Sequence, residues 1–374
     1  MLRFSHSTMG FIAIHCLRDS SKLHTAHGKP RALQRRHGFI VAWGYFLGLM
    51  LAISGWAQTH RLEHVTLSVP GPAGSVSLPI ELAQRIGADK AEGLALSLKF
   101  VNGGGVAIDD LLNGNADFGI FGLPAAMLHN LKKPSLVALA AVDGRPLYSL
   151  VVRADLRSKV SRIEDLRGRK IGIHTDSLVA QTTSRQILNL VLRQNGIKPD
   201  EIAYIAAGQS WETQSALFIG RLVDAIMSDE PFGTRFSKEK LGFTIYSTGD
   251  TADASSTPGA GFLRAALIAR KDTVEANPEV ARRMVKVVQR SLQWIATHKS
   301  EEIADAMAMS PSRRASFVDV SRKFPNQYSP DGKFSKKQLV ETGIFFRNSN
   351  SDWPDALHYK VDHMIIERWS GSKP

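Results

Sequence analysis

The chain has 374 residues, 43% of them hydrophobic and 22% charged, with 47 Lys/Arg against 35 Asp/Glu and a formal net charge of +12. This composition predicts a folded globular protein of one or two domains and excludes a disordered chain. The charge suggests nucleic acid, but seven of the basic residues lie in residues 1–57 beside one acid, Asp19, and 40 basic against 34 acidic residues remain. That remainder has no basic block with interleaved aromatics and no zinc-finger spacing, so nucleic acid is not an expected partner.

Phe39 to Ala57 is an apolar run behind Arg35-Arg36-His37, with Gly55 and Ala57 at the −3 and −1 positions of a cleavage site. A basic flank, an apolar stretch and a small-residue exit read as a signal peptide with an extended N-region (residues 1–57), cleaved after Ala57. An uncleaved anchor is the alternative reading, because the run is almost long enough to cross a bilayer. The one cysteine, Cys16, falls inside this leader. The mature chain is therefore expected to have no disulfide, no thiol nucleophile and no cysteine metal ligand.

Beyond the leader, His64–Val69 reads as a strand running into the turn Pro70-Gly71-Pro72-Ala73-Gly74-Ser75-Val76-Ser77. A helix follows from Leu78 or Pro79 to about Ile86, Pro79 being tolerable in a first turn. Leu94–Val101 is a second strand. It enters the stretch Val101–Ala126, where Gly103, Gly104 and Gly105 precede Val106, Ile108, Leu111 and Leu112 at helical spacing. Gly114-Asn115 stops that helix before the strand Ala116–Phe121. Two strands joined through a helix are what a parallel arrangement requires. Glycines at a helix start allow positive φ and free N–H groups suited to an anion.

Strands are then expected at Leu136–Ala141, Leu147–Val152 and Ile171–Ile173, with a short helix and turn between Ser161 and Lys170. A helix from about Leu178 to Gln194 is closed by Asn195-Gly196. Ile202–Ile205, the helix Glu212–Ile219 and Ala225–Met227 complete a second unit that repeats the first, leading to Asp229-Glu230-Pro231. Two similar α/β halves with polar loops at strand ends predict a ligand cleft between them.

Ile163-Glu164-Asp165-Leu166-Arg167-Gly168-Arg169-Lys170-Ile171-Gly172-Ile173 resembles a segment of the substrate-binding proteins of ABC importers. Within these the chain is similar to the nitrate/sulfonate/taurine group, which also holds thiamine-pyrimidine binders. Three further matches carry the resemblance: Gly104-Gly105 before a helix, Leu112…Gly114…Ala116-Asp117-Phe118-Gly119, and Gly220-Arg221-Leu222-Val223-Asp224-Ala225 ahead of Glu230-Pro231. It covers roughly residues 64–300.

The resemblance implies an α/β, bilobed periplasmic-binding-protein type II fold, two lobes joined by two crossover strands near Arg145–Val152 and Gly261–Ala269. Lobe 1 would comprise residues 62–146 and lobe 2 residues 147–262. Residues 263–374 would return to lobe 1, with C-terminal helices including Pro278–His298. It implies a monomeric, periplasmic, non-enzymatic receptor that binds a small-molecule ligand and delivers it to an ABC permease of the inner membrane, with no cofactor and no metal.

Ligand candidates follow from the loops. Gly74, Ser75 and Ser77 sit at the family's first ligand loop, as anion contacts or as turn residues. Gly104 and Gly105 form a backbone nest. Leu123 and Pro124 replace a loop that often carries a hydroxyl, suggesting an apolar wall and arguing against an inorganic anion such as nitrate. His174, Thr175 and Ser177 depart from the family's small glycine/serine loop, and Thr175 or Ser177 also reads as an N-cap. Trp211 either stacks on a ligand ring or packs under its loop. Glu230 either accepts from a ligand amine or braces the hinge. Arg145 and Arg264 are candidate cleft cations. An organic anion or zwitterion, sulfonate-like or heteroaromatic, fits this set. The alternatives are an enzyme on the same fold, a lyase or hydrolase using His174, or a receptor for a membrane sensor.

Overall fold

The computed structural model describes residues 61–72 and 74–374. The expected leader, its cleavage site at Ala57, Cys16 and Ala73 lie outside these residues. Among the described residues, no helix is long and apolar enough to cross a membrane.

The first sheet contains β1 (Glu63–Pro70), β2 (Leu94–Val101), β3 (Phe118–Gly122), β4 (Leu136–Ala141) and β10 (Ala265–Arg270), in the order β2-β1-β3-β10-β4. The second contains β5 (Tyr148–Arg153), β6 (Lys170–Ile173), β7 (Ala203–Ala206), β8 (Ala225–Asp229) and β9 (Gly242–Ser247), in the order β7-β6-β8-β5-β9. Each sheet is mixed. β1 pairs parallel with β2 and β3, and β10 lies antiparallel to β3 and β4. Likewise β6 pairs parallel with β7 and β8, while β5 lies antiparallel to β8 and β9. The two strands flanking the triple glycine are thus not neighbours, because β1 lies between them.

The chain crosses between the sheets twice, through residues 142–147 and 248–264. The strand residues placed in the crossovers, Tyr148–Val152 and Ala265–Ala269, are the antiparallel members of the two sheets.

The helices that position the sheets include α1 (Leu78–Arg85), α2 (Gly104–Leu112), α3 (Leu123–Lys132), α4 (Thr183–Gln194), α5 (Trp211–Ile219), α6 (Phe232–Lys238), α7 (Pro278–Thr297) and α8 (Lys336–Ser349). Strand alternation divides the apolar residues between the two faces of each sheet. On the first, Val65, Leu67 and Val69 join Ile80 and Leu82 of α1 and Val285, Val288 and Leu292 of α7 in one core. On its other face Phe121, Ala266 and Ile268 pack with Leu111 of α2, Met127 of α3 and Phe346 of α8. The second sheet repeats this with Leu150, Ile171 and Met227 against Ile187 and Val191 of α4 and Phe345 of α8. Val151 and Ile226 face Phe218 and Phe236.

Helix α4 begins five residues later than its apolar spacing suggests. Thr182 caps it, its hydroxyl accepting from Arg185 N–H at 3.3 Å. Residues before the cap form a short 3-10 turn, Thr175–Leu178. Buried polar pairs fix the first lobe: Asp110 of α2 accepts from Ser68 Oγ at 2.8 Å and from Lys99 Nζ at 2.6 Å. Burial opposes its charge, but these donors hold the Asp110 carboxyl below its ordinary range.

Candidate functional site

Strand ends and the crossings converge on a partly open cavity of about 50 Å³ between the lobes. The first lobe supplies Pro70, Gly71, Gly74, Ser75, Gly104, Phe121, Gly122 and Ala125 to its wall. The second supplies Tyr148, His174, Thr183, Ser184, Gln209, Gln214 and Asp229, and Arg264 enters from the second crossing. A water needs about 10–15 Å³ measured in this way, so the space has room for roughly three to five waters.

Arg264 is the organising side chain, 2% exposed. Its Nε donates to Asp143 Oδ2 at 2.5 Å, Nη1 to Asp229 Oδ1 at 3.1 Å and Nη2 to Ser75 Oγ at 2.9 Å. One guanidinium therefore ties together the first lobe, the first crossing and the second lobe. Burial disfavours its charge, but Asp143, Tyr148 and Asp229 outweigh that and hold it protonated. The two carboxylates diverge. Burial raises Asp143 despite Arg264, and its Oδ1 has no partner, whereas His174 and Arg264 overcome burial and lower Asp229.

His174 follows β6 directly and is buried. Its Nδ1 lies 2.9 Å from Gln209 Nε2 and 3.2 Å from Ser184 Oγ. Its Nε2 is 3.2 Å from Asp229 Oδ2, an ion-pair distance too bent for a good hydrogen bond. Burial pushes the imidazole down, yet Asp229 and Asp176 more than compensate and its pKa is raised. Protonated His174 therefore stabilises the fold fully below its unfolded pKa of about 6.5 and loses that contribution as pH rises through the folded value. In urea unfolding, the stability gap between wild type and His174→Gln should be wider at pH 6 than at pH 8. A gap narrower at pH 6 would show that the buried imidazole stays neutral, and an equal gap that its pKa is the same folded and unfolded.

Gly74, Ser75, Gly104 and His174 thus meet in the cavity wall, as the sequence suggests. The other candidates do not. Ser77 is buried and donates to Gly74 O at 3.2 Å, closing the turn before α1. Gly105 N–H donates to Asp176 Oδ2 at 2.7 Å. Leu123 and Pro124 are buried in the first turn of α3, and the apolar wall is Phe121 and Ala125 instead. Thr175 points to solvent. Ser177 sits in a hydroxyl cluster, 2.5 Å from Thr182 Oγ1. Trp211 packs on Phe236 at 4.7 Å between ring centroids with Arg235 at 3.9 Å over its ring. Glu230 accepts from Ser149 Oγ at 2.8 Å and Thr234 N–H at 2.9 Å, behind the cavity. Arg145 stands over the Phe324 ring at 5.3 Å and is absent from the cavity wall.

Asp229, Gln209, Gln214 and Thr183 lay beyond the sequence reading. Asp229 had a usable signal. It ends β8, and neighbouring strand residues point to opposite faces, so Asp229 and Glu230 cannot both face the cleft.

The curated relatives are described as binding proteins. YtlA of Bacillus subtilis, named as a candidate binding protein, is 21% identical over 352 residues, spanning 90% of this chain and 98% of that protein. A solved structure from Bordetella bronchiseptica superposes with a TM-score of 0.74 at 21% identity, covering 83% of this chain and 96% of that one. The alkanesulfonate-binding protein SsuA from Xanthomonas axonopodis, bound to MOPS, gives a TM-score of 0.62 at 13% identity, covering 81% and 98%. The shared fold is that of the periplasmic binding proteins. With the family model matching residues 76–302, the chain belongs to the NMT1/THI5-like family.

Proposed function

We propose that the protein is the solute-binding component of an ABC importer, exported to the periplasm and closing its two lobes on a compact zwitterionic organic solute. The observation that carries this reading is the cavity between the lobes in which Arg264 is already countered by Asp143 and Asp229. A bare anion would meet no net positive charge there. A solute with an acidic group toward Arg264 and Ser75 and a cationic or N–H group toward Asp229 satisfies both signs. The two α/β lobes, the family and the binding-protein relatives support a receptor that works by differential affinity for the closed state. Taurine-like aminosulfonates and heteroaromatic amines that also carry an acidic group have this chemistry, and a membrane permease would read the closed form.

One observation favours a second reading. Ser184 Oγ, His174 and Asp229 lie in a row that a hydrolase could use, with Nδ1 facing the hydroxyl at 3.2 Å. Gln209 competes for the same Nδ1.

A single experiment separates the two. Thermal unfolding is followed against taurine, alkanesulfonates, nitrate, bicarbonate, aromatic carboxylates and thiamine pyrimidines. A solute at 100 times its dissociation constant should stabilise the protein by about 2.7 kcal/mol. Recovery of that solute unchanged supports the receptor, and its conversion supports the enzyme. Stabilisation by nitrate alone would overturn the zwitterion assignment.

A further inference from the structure

Helix α2 starts at Gly104, and two of the three glycines at its N-terminus, Gly103 and Gly105, face a side chain from the opposite lobe. Asp176, on the turn after β6, is 7% exposed and places Oδ2 2.7 Å from Gly105 N. Its other oxygen, Oδ1, is buried without a hydrogen-bond partner. Gly103 has φ +149°, and a Cβ there would lie 1.9 Å from the Asp176 carboxyl carbon, so glycine is required for the carboxylate to enter. A Cβ on Gly105 would meet Asp176 Oδ2 at 3.1 Å. The positive end of α2 and the N–H of Gly105 thus face a carboxylate that the chain itself provides.

Gly104 lines the cavity between the lobes, while Gly105 and Asp176 line a neighbouring groove of about 480 Å³ beside Val106, Ile108 and Val179.

We propose that Asp176 is a specificity-determining residue that occupies the Gly103–Gly105 nest as a resident anion, denying it to the acidic group of any solute. This rests on reading the cavity between the lobes as the solute site. The acidic group of the solute must then be received elsewhere, at Arg264 and Ser75. Removing the carboxylate frees an anion nest.

The test uses inorganic sulfate as the probe, with sodium chloride at matched ionic strength as control. Thermal unfolding of wild type, Asp176→Ala and Asp176→Asn is followed through a sulfate titration. Asp176→Ala should melt lower than wild type without sulfate and gain a saturable sulfate-dependent rise, with apparent affinity at least tenfold tighter than wild type. Asp176→Asn, which keeps the nest filled, should show no such gain. Asp176→Ser gives the same reading if the alanine variant does not fold. A folded Ala or Ser variant without tighter sulfate binding overturns the proposal, as does a gain of equal size in Asp176→Asn. A wild type that responds to none of the organic solutes yet gains a sulfate site on losing Asp176 would fault the assigned function and leave the resident anion standing.

Discussion

Replacing Arg264 by alanine should cost about 3–5 kcal/mol in unfolding free energy, the penalty typical of leaving buried charges without their partner. Asp143 is fully buried and already carries an oxygen without a donor, and Asp229 would keep only His174. Solute binding should vanish with it, because the same guanidinium holds Ser75 in place. Urea unfolding measures the loss. Adding Asp143→Asn and Asp229→Asn to Arg264→Met should recover a large part of it, since the damage comes from stranded carboxylates and not from lost volume. A loss below 1 kcal/mol for Arg264→Ala would mean that the two carboxylates take up protons at little cost.

Gly122→Ala should separate closure from folding. Gly122 has φ −63° and ψ 116°, a backbone that alanine adopts freely. Its added Cβ, however, would lie 2.0 Å from Thr183 Oγ1, on the opposite lobe. Overpacking of this kind costs about 1–3 kcal/mol, and a slight opening of the lobes relieves it. The variant should therefore fold with near-wild-type stability while binding its solute between about fivefold and 150-fold more weakly. Calorimetric titration with the solute found by the thermal screen measures this. Thr183→Ala in the same chain should restore part of the affinity, because the hydroxyl is the closest clash. Unchanged affinity would show that binding does not require the lobes to meet here.

Local pattern carried much of the architecture. Strands Leu94–Val101 and Leu136–Ala141 have the limits that their apolar runs suggest. Glycine and proline punctuation located the turns. What stayed hidden was set by partners distant in sequence. Trp211 resembles a ligand-stacking aromatic until Phe236 and Arg235 are seen against it. Gly103 and Gly105 resemble a vacant nest until Asp176, more than 70 residues later, is found inside it. Of the two readings open for Glu230, its contacts with Ser149 and Thr234 fit the brace, while Asp229, the last residue of β8, faces the cavity. Little of the region after Thr297 was legible, because its helices owe their place to two cores already built by others.

Those last helices include α8, where consecutive residues Phe345 and Phe346 enter different lobes. Phe345 stacks on Phe262 at 3.9 Å, and Arg193 of the second lobe donates to Ser349 O at 2.6 Å. At the other end Gln338 donates to the carbonyls of Asp143 and Gly144 in the first crossing. Pulling either ring out of its core would forfeit about 1.5–3 kcal/mol. If the lobes close as proposed, both rings are expected to stay seated, and α8 would serve as an axle with a bearing at each end.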